Sequence, residues 1–240
     1  MKVAAANKKK VRGRTYDSII KELKSLRNPK NIEGMARYGL NSPTTLGLCM
    51  PDLMRIARET GKDHALAQRL WDSGIYEARI LAFMVDEWEL VTEKQMEDWA
   101  RDFDNWGIVD GCVGHLFDKT PFAYKKAVKW SKRKEEFVKR AGYTMMATLT
   151  VHDKKADDET MLKFLPLIVK GATDERRYVS KSVNWALRQI GKRNRALNKR
   201  AIETAERIQR LDSKAARWIA SDALRELKGE AVQKKLLKRQ

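Results

Sequence analysis

Apolar residues recur every three or four positions along nearly the whole chain, and stretches in which they alternate with polar residues are almost absent. The first spacing is typical of helices with one buried side, whereas alternation would indicate half-exposed strands. The sequence therefore predicts an all-α protein, with helices near residues 15–27, 30–40, 51–60, 63–73, 75–86, 92–103, 106–118, 121–131, 133–150, 158–170, 174–191, 194–210, 212–227 and 229–239.

The predicted helices form pairs that resemble one another. A short turn, an acidic or polar start and a basic residue entering an apolar helix recur near residues 70–82, 134–141, 174–179 and 212–220. Repeats of roughly 30–40 residues are typical of helical solenoids, whose units bury their apolar sides against their neighbours. We predict a curved superhelical stack of HEAT-like antiparallel helix pairs with a concave basic groove. This single domain would span residues 15–240, after a basic, disordered tail over residues 1–14.

The positive charge is concentrated in one half of the sequence. The formal net charge is +18, and residues 121–240 carry +17 of it, whereas residues 1–120 carry +1. Such an excess favours a polyanionic partner, and nucleic acid is preferred over a merely solvated basic face. Ribosomal and membrane-surface proteins can have a similar total charge.

Other classes of site have little support. The two cysteines lack CxxC spacing and the three histidines are far apart, which indicates a reducing compartment and no metal site. Glycine-rich nucleotide-binding motifs are missing, and no apolar run approaches the roughly 20 residues that cross a bilayer. We expect no cofactor, no membrane contact, a monomer, and a cytoplasmic protein that joins the nucleoid when it binds DNA.

Trp185 occupies an unusual position in the helix predicted at 174–191. Helical spacing places it opposite the apolar side of that helix, with Lys181 and Arg188 one turn before and after it. A tryptophan flanked by cations on a polar side suits contact with a nucleic-acid backbone or a cationic base. Alternatively, a neighbouring helix pair covers the ring. The apolar side itself, expected in the core, comprises Val179, Val183, Ala186, Leu187 and Ile190.

A second aromatic residue lies beside a carboxylate in the helix predicted at 106–118. Trp106 and Asp110 are one turn apart, and Asp110 is at the edge of the apolar side. A carboxylate in a basic groove can stabilise a sugar cation and hold the attacking water as a glycosidic bond breaks. It can also simply accept hydrogen bonds from the N-terminus of a neighbouring helix. Arg140 begins on a polar edge, where it can grip phosphate or form an ordinary ion pair between helices.

These residues resemble the AlkD-type family of DNA alkylation repair glycosylases, which have HEAT-like repeats. The resemblance spans roughly residues 30–220. It includes an N-terminal pattern, a Trp-x-x-x-Asp pair, an arginine entering the next long helix and a Trp-Ala-Leu-Arg run. In this sequence they are Met35 to Gly39, Leu46-Gly47 with Pro51 and Arg55, Trp106 with Asp110, Arg140, and Trp185 to Arg188.

The resemblance implies excision of cationic alkylated purines, such as 3-methyladenine and 7-methylguanine, from duplex DNA without base flipping. Asp110 would be the electrostatic catalyst, Trp106 and Trp185 would pack against the deoxyribose, and Arg140 would anchor phosphate. Phosphate contacts by Lys181 and Arg188 follow from helix position alone. Gly107, where a bulkier residue is expected in relatives, and the basic tail depart from the family pattern.

Three functions remain open. The first is a monofunctional DNA glycosylase without a lyase step. The second is a non-catalytic binder of damaged or branched nucleic acid, and the third is a HEAT-like adaptor for an acidic protein. A carboxylate facing phosphates would only weaken a pure DNA binder, so Asp110 favours the glycosylase.

Overall fold

The structure is a computed structural model that describes residues 14–40 and 42–238. All regular structure in these residues is helical, as the periodicity predicts. Two short 3-10 helices, Trp88–Leu90 and Phe117–Lys119, accompany the α-helices. The α-helices are α1 (Tyr16–Ser25), α2 (Pro29–Arg37), α3 (Met50–Thr60), α4 (His64–Asp72), α5 (Tyr76–Val85), α6 (Glu93–Arg101), α7 (Trp106–His115), α8 (Ala123–Trp130), α9 (Glu136–His152), α10 (Asp158–Leu162), α11 (Leu165–Gly171), α12 (Arg177–Gly191), α13 (Arg195–Gln209), α14 (Lys214–Leu227) and α15 (Glu230–Leu237).

The segment predicted as one helix over 158–170 is two helices. The α10 helix ends at Leu162, and α11 begins at Leu165 with Pro166 in its first turn. A proline inside a helix lacks the amide hydrogen and its ring clashes with the carbonyl four residues earlier, here that of Leu162. The break therefore follows from Pro166, which the periodicity alone does not reveal.

The chain forms two compact units that divide between Glu87 and Trp88. A single domain over 15–240 stays a prediction. Of the predicted tail, residues 1–13 lie outside the described residues, whereas Arg14 forms ion pairs with Glu22 and Glu59. In the part of the chain that the structure describes, no helix has the length and apolarity to span a bilayer.

In the first unit, a buried carboxylate holds the segment between α2 and α3. Glu77 accepts hydrogen bonds from the backbone amides of Leu46 (2.9 Å), Gly47 (2.7 Å) and Leu48 (3.3 Å). Gly47 has a φ of +83°, and a Cβ there would lie 2.3 Å from the carbonyl oxygen of Asn28. Only glycine combines this conformation with so close an approach of two backbone segments.

The second unit is built around a layer of four helices, α7, α9, α12 and α14, in which each contacts the next. The α8 helix packs on α9, and α13 packs on both α12 and α14. Because α9 has neighbours on three sides, every residue from Arg140 to Thr150 is buried. Gly142 permits the contact with α8, since a Cβ there would lie 2.3 Å from the amide nitrogen of Ser131.

A carboxylate before α12 connects two turns of the second unit. Asp174 accepts hydrogen bonds from Lys139 Nζ (2.7 Å) and from Arg176 Nε (2.8 Å) and Nη2 (2.6 Å). Burial raises the pKa of Asp174, but the hydrogen bonds from Arg176 and Lys139 outweigh it and hold the pKa well below its usual value. This network fixes the start of α12 against α9.

Candidate active site

The first residue of the site is placed by a helix cap. The Asn105 side chain accepts a hydrogen bond from the amide of Ile108 (3.0 Å), so α7 begins at Trp106. Ile108, Val109, Cys112 and Val113 are buried, whereas Trp106 and Asp110 are half-buried on the edge of the helix. The sequence predicts this edge position for Asp110 correctly.

Both carboxylate oxygens of Asp110 are bound by side chains of α9. Arg140 Nε donates to Oδ1 (3.0 Å) and Nη2 donates to Oδ2 (2.6 Å), which forms a bidentate ion pair. The hydroxyl of Thr144, one turn after Arg140, also donates to Oδ1 (3.0 Å). The Asp110 side chain retains 22% of its exposure. The carboxylate is therefore fixed in orientation without being sealed from solvent.

Arg140 connects three helices of the layer. Its third guanidinium nitrogen, Nη1, donates to the carbonyl oxygen of Tyr178 in α12 (2.7 Å). Its side chain is only 7% exposed. These contacts match the alternative of an ion pair between helices. The phosphate contact expected for Arg140 stays a prediction, and the geometry favours a role in positioning Asp110.

The α12 helix carries two other residues expected in the site, Lys181 and Trp185. Its predicted core residues are all buried, and Trp185 on the other side is half-buried. Lys181 is exposed one turn before Trp185. Partial desolvation lowers the pKa of Lys181, and the positive charges of Arg177 and Arg140 lower it further. Lys181 therefore lies close enough to Arg140 for the two positive charges to repel each other.

Arg188 forms an ion pair with the next helix of the layer, α14. Its Nη1 forms an ion pair with Glu226 of α14, and Lys192 Nζ donates to the same carboxylate (2.7 Å). Burial raises the pKa of Glu226, but the hydrogen bonds from Lys192 and Arg188 leave it below its usual value. A phosphate would have to compete with Glu226 for Arg188, so this contact also stays a prediction.

Two groups of the site are absent from the sequence-based prediction. The first is Thr144, a fully buried hydroxyl whose position one turn after Arg140 could have identified it. The second is the carbonyl of Tyr178, which no residue pattern indicates because its role depends on how α9 and α12 pack. Among residues 14–40 and 42–238, no group of three or more His, Cys, Asp or Glu side chains is arranged to hold a metal ion.

A sequence model of one family, described as DNA alkylation repair enzyme, matches residues 19–227, which is most of the chain and includes the whole site. The chain belongs to this family. No curated protein matches its sequence.

Among solved structures, the chain is similar to one described as belonging to "a new family of proteins related to the HEAT-like repeat DNA glycosylases with affinity for branched DNA structures". The TM-score is 0.72 at 17% identity, over 89% of this chain and 95% of that one. The similarity confirms the HEAT-like fold for this family member. A designed armadillo repeat protein bound to a (KR)4 peptide matches with a TM-score of 0.37 and 14% identity, over 90% and 95% of the two chains, which is too low to support any inference.

Proposed function

We propose that this protein is a DNA glycosylase that hydrolyses the N-glycosidic bond of cationic alkylated purines in duplex DNA. The observation that carries the proposal is the Asp110 carboxylate, which is oriented by Arg140 and Thr144, partly exposed, and one turn from Trp106. A DNA binder gains nothing from fixing a carboxylate at its surface, whereas a reaction with a positive transition state does.

The proposed reaction needs only groups of the chain and water. Alkylation at a ring nitrogen makes the purine positive, so the C1′–N bond breaks with its electron pair passing to the base, which leaves neutral. Positive charge develops on the deoxyribose, and Asp110 stabilises it. A water oxygen then bonds to C1′, and its proton passes through Asp110 to solvent. Because the leaving base is already activated, the base need not be flipped into a pocket.

The surrounding residues take supporting roles in this proposal. Trp106 and Trp185 present half-buried rings against the sugar, where an aromatic face also favours positive charge. Arg140 positions Asp110 through two hydrogen bonds and is held in turn by the Tyr178 carbonyl. Lys181 is exposed beside this pair and contacts a phosphate.

The test is release of 7-methylguanine from methylated duplex DNA with enzyme in excess. Wild type, Asp110→Asn and Asp98→Asn are compared. Asp98 is a partly exposed carboxylate of α6 that pairs with Lys94 and Arg101 of its own helix. We expect Asp110→Asn to be slower by about 100-fold or more, as for removal of one preorganised electrostatic group, and Asp98→Asn to match wild type. Equal release by wild type and Asp110→Asn would refute the catalytic role.

Two observations favour a second function. Both Asp110 oxygens are occupied, and the solved structure that shares this fold is described as having affinity for branched DNA. The alternative is a non-catalytic binder of damaged or branched nucleic acid. It predicts no base release by wild type and tighter binding of a four-way junction than of a linear duplex of equal length. If affinity hardly changes with salt, an acidic protein is the better partner.

A further inference from the structure

Each of the four helices of the layer carries one charged or aromatic residue of interest in its second turn. Asp110, Arg140, Lys181 and Trp218 are each the fifth residue of their helix, in α7, α9, α12 and α14 respectively. The first two form the ion pair, and the charge of the second lowers the pKa of the third. Trp218, in the second turn of α14, lies beyond the residues assigned to the proposed active site.

The sequence around Trp218 repeats the pattern around Trp185. In both helices a lysine precedes the tryptophan by four residues, as Lys181 and Lys214, and a second cation follows it by seven, as Lys192 and Arg225. Four and seven residues correspond to one and two helical turns, so each set shares one side of its helix. Two neighbouring helices of the layer therefore carry the same arrangement of a ring between cations.

Trp218 is the most exposed tryptophan in the described part of the chain, with 44% of its surface accessible. Lys214 and Arg217 beside it are also exposed, and the ion pair of Arg217 with Asp212 is itself open to solvent. Exposed pairs of this kind contribute little, so the cations are available to another anion. A large ring exposed among cations marks a contact surface rather than part of the core.

We propose that Lys214, Arg217 and Trp218, the α14 patch, bind the backbone of the duplex beyond the lesion, with the indole packed on a deoxyribose and the cations on phosphates. This inference rests on the proposed function for the position of the lesion. Neighbouring helices are about 8–10 Å apart, so three steps from α7 to α14 span roughly 24–30 Å. At about 3.4 Å per base pair, the contact lies about seven to nine base pairs from the lesion.

The test measures duplex affinity by fluorescence anisotropy for wild type, Trp218→Ala, Trp218→Phe and Trp88→Ala. Trp88 is a matched control, because it is 38% exposed in the same unit but lies between Glu87 and Glu89. We expect Trp218→Ala to weaken binding by about 5- to 30-fold. This is the lower part of the loss in affinity that removal of one aromatic contact to nucleic acid causes. Trp218→Phe should recover part of the loss, and Trp88→Ala should bind like wild type.

The position of the contact is tested with three duplexes. The first duplex carries the lesion with 12 base pairs on each side. The second is shortened to four base pairs on the 5′ side of the lesion, and the third to four base pairs on the 3′ side. The loss of affinity caused by Trp218→Ala should persist with the first duplex and with one of the shortened duplexes, and should disappear with the other shortened duplex. An equal loss in all three would indicate an indirect effect on the fold, and no loss in any would show that DNA does not reach α14. Either result overturns the proposal.

These measurements are separate from the test of the proposed function. Affinity and its dependence on duplex length do not require base release, so the α14 patch can fail while Asp110 proves catalytic. Conversely, absence of base release with a length-dependent Trp218 contribution would retain the patch as part of a DNA-binding surface.

Discussion

The ion pair between Arg140 and Asp110 should be unequally sensitive to the loss of its two members. The Arg140 side chain is 7% exposed, whereas that of Asp110 is 22% exposed. Replacing the carboxylate by an amide leaves the buried guanidinium without its negative partner, although the Tyr178 carbonyl still accepts from Nη1. Removing the guanidinium leaves a carboxylate that keeps the Thr144 hydroxyl and can reach water.

The magnitudes follow from this difference in burial. Loss of one member of a buried ion pair costs about 3–5 kcal/mol when the remaining charge is uncompensated. We therefore expect Asp110→Asn to lower the free energy of unfolding by about 3 kcal/mol. Arg140→Met should cost less, about 1–2 kcal/mol, because the remaining carboxylate keeps a hydrogen bond and solvent access. For a unit of this size, 3 kcal/mol corresponds to a Tm lower by about 6–12 °C.

The assay is urea denaturation of both single variants and the double variant, followed by circular dichroism and tryptophan fluorescence. Because the chain has two compact units, a two-state treatment requires that circular dichroism and fluorescence report the same unfolding transition. The interaction energy between Asp110 and Arg140 from this double-mutant cycle should exceed about 1.5 kcal/mol, as for residues in direct contact. The same double-mutant cycle on the pair Asp98–Arg101, in which Arg101 is exposed and Asp98 partly exposed, should give less than about 1 kcal/mol.

Two results would refute this reasoning. If the double variant loses the sum of the free energies of unfolding that the two single variants lose, to within about 0.5 kcal/mol, the two side chains are not coupled. If Arg140→Met costs more than Asp110→Asn, burial does not determine which charge is left without compensation. The expected destabilisation also sets a condition for the activity test, in which Asp110→Asn must be measured well below its own Tm.

Three further predictions concern the rest of the molecule. Asp174 has a native pKa held below its usual value, so its contribution to stability is complete above about pH 4 and is lost as the pH falls through the lowered native pKa; Asp174→Asn should flatten the decline of Tm in acid. Gly47→Ala should lower the Tm because its Cβ would meet a backbone oxygen at positive φ, whereas Gly34→Ala, in a helix with open space around it, should raise stability by about 0.5–1 kcal/mol. Lys181→Gln should reduce the slope of log affinity for duplex DNA against log salt by about one, and the exposed Lys170→Gln of α11 should leave it unchanged.

The sequence by itself determined the helical class, most helix positions and the two sides of α7 and α12. These features are local, since a helix places residues three and four apart on one side whatever the rest of the chain does. For the same reason it predicted that Asp110 lies at an edge and that Trp185 faces away from its own core. The break at Pro166 is also a local effect, but it comes from the missing amide hydrogen and the ring of proline and not from the spacing of apolar residues.

Only the tertiary structure decided which charges meet. Arg140 bonds Asp110 and the Tyr178 carbonyl rather than lying exposed, and Arg188 pairs with Glu226. These partners are 30 or more residues apart in sequence, and each is one of several carboxylates or carbonyls within reach of a long flexible cation. The choice among them depends on the distance and rotation between packed helices, which are set by the full shape of the buried side chains and not by the apolar pattern.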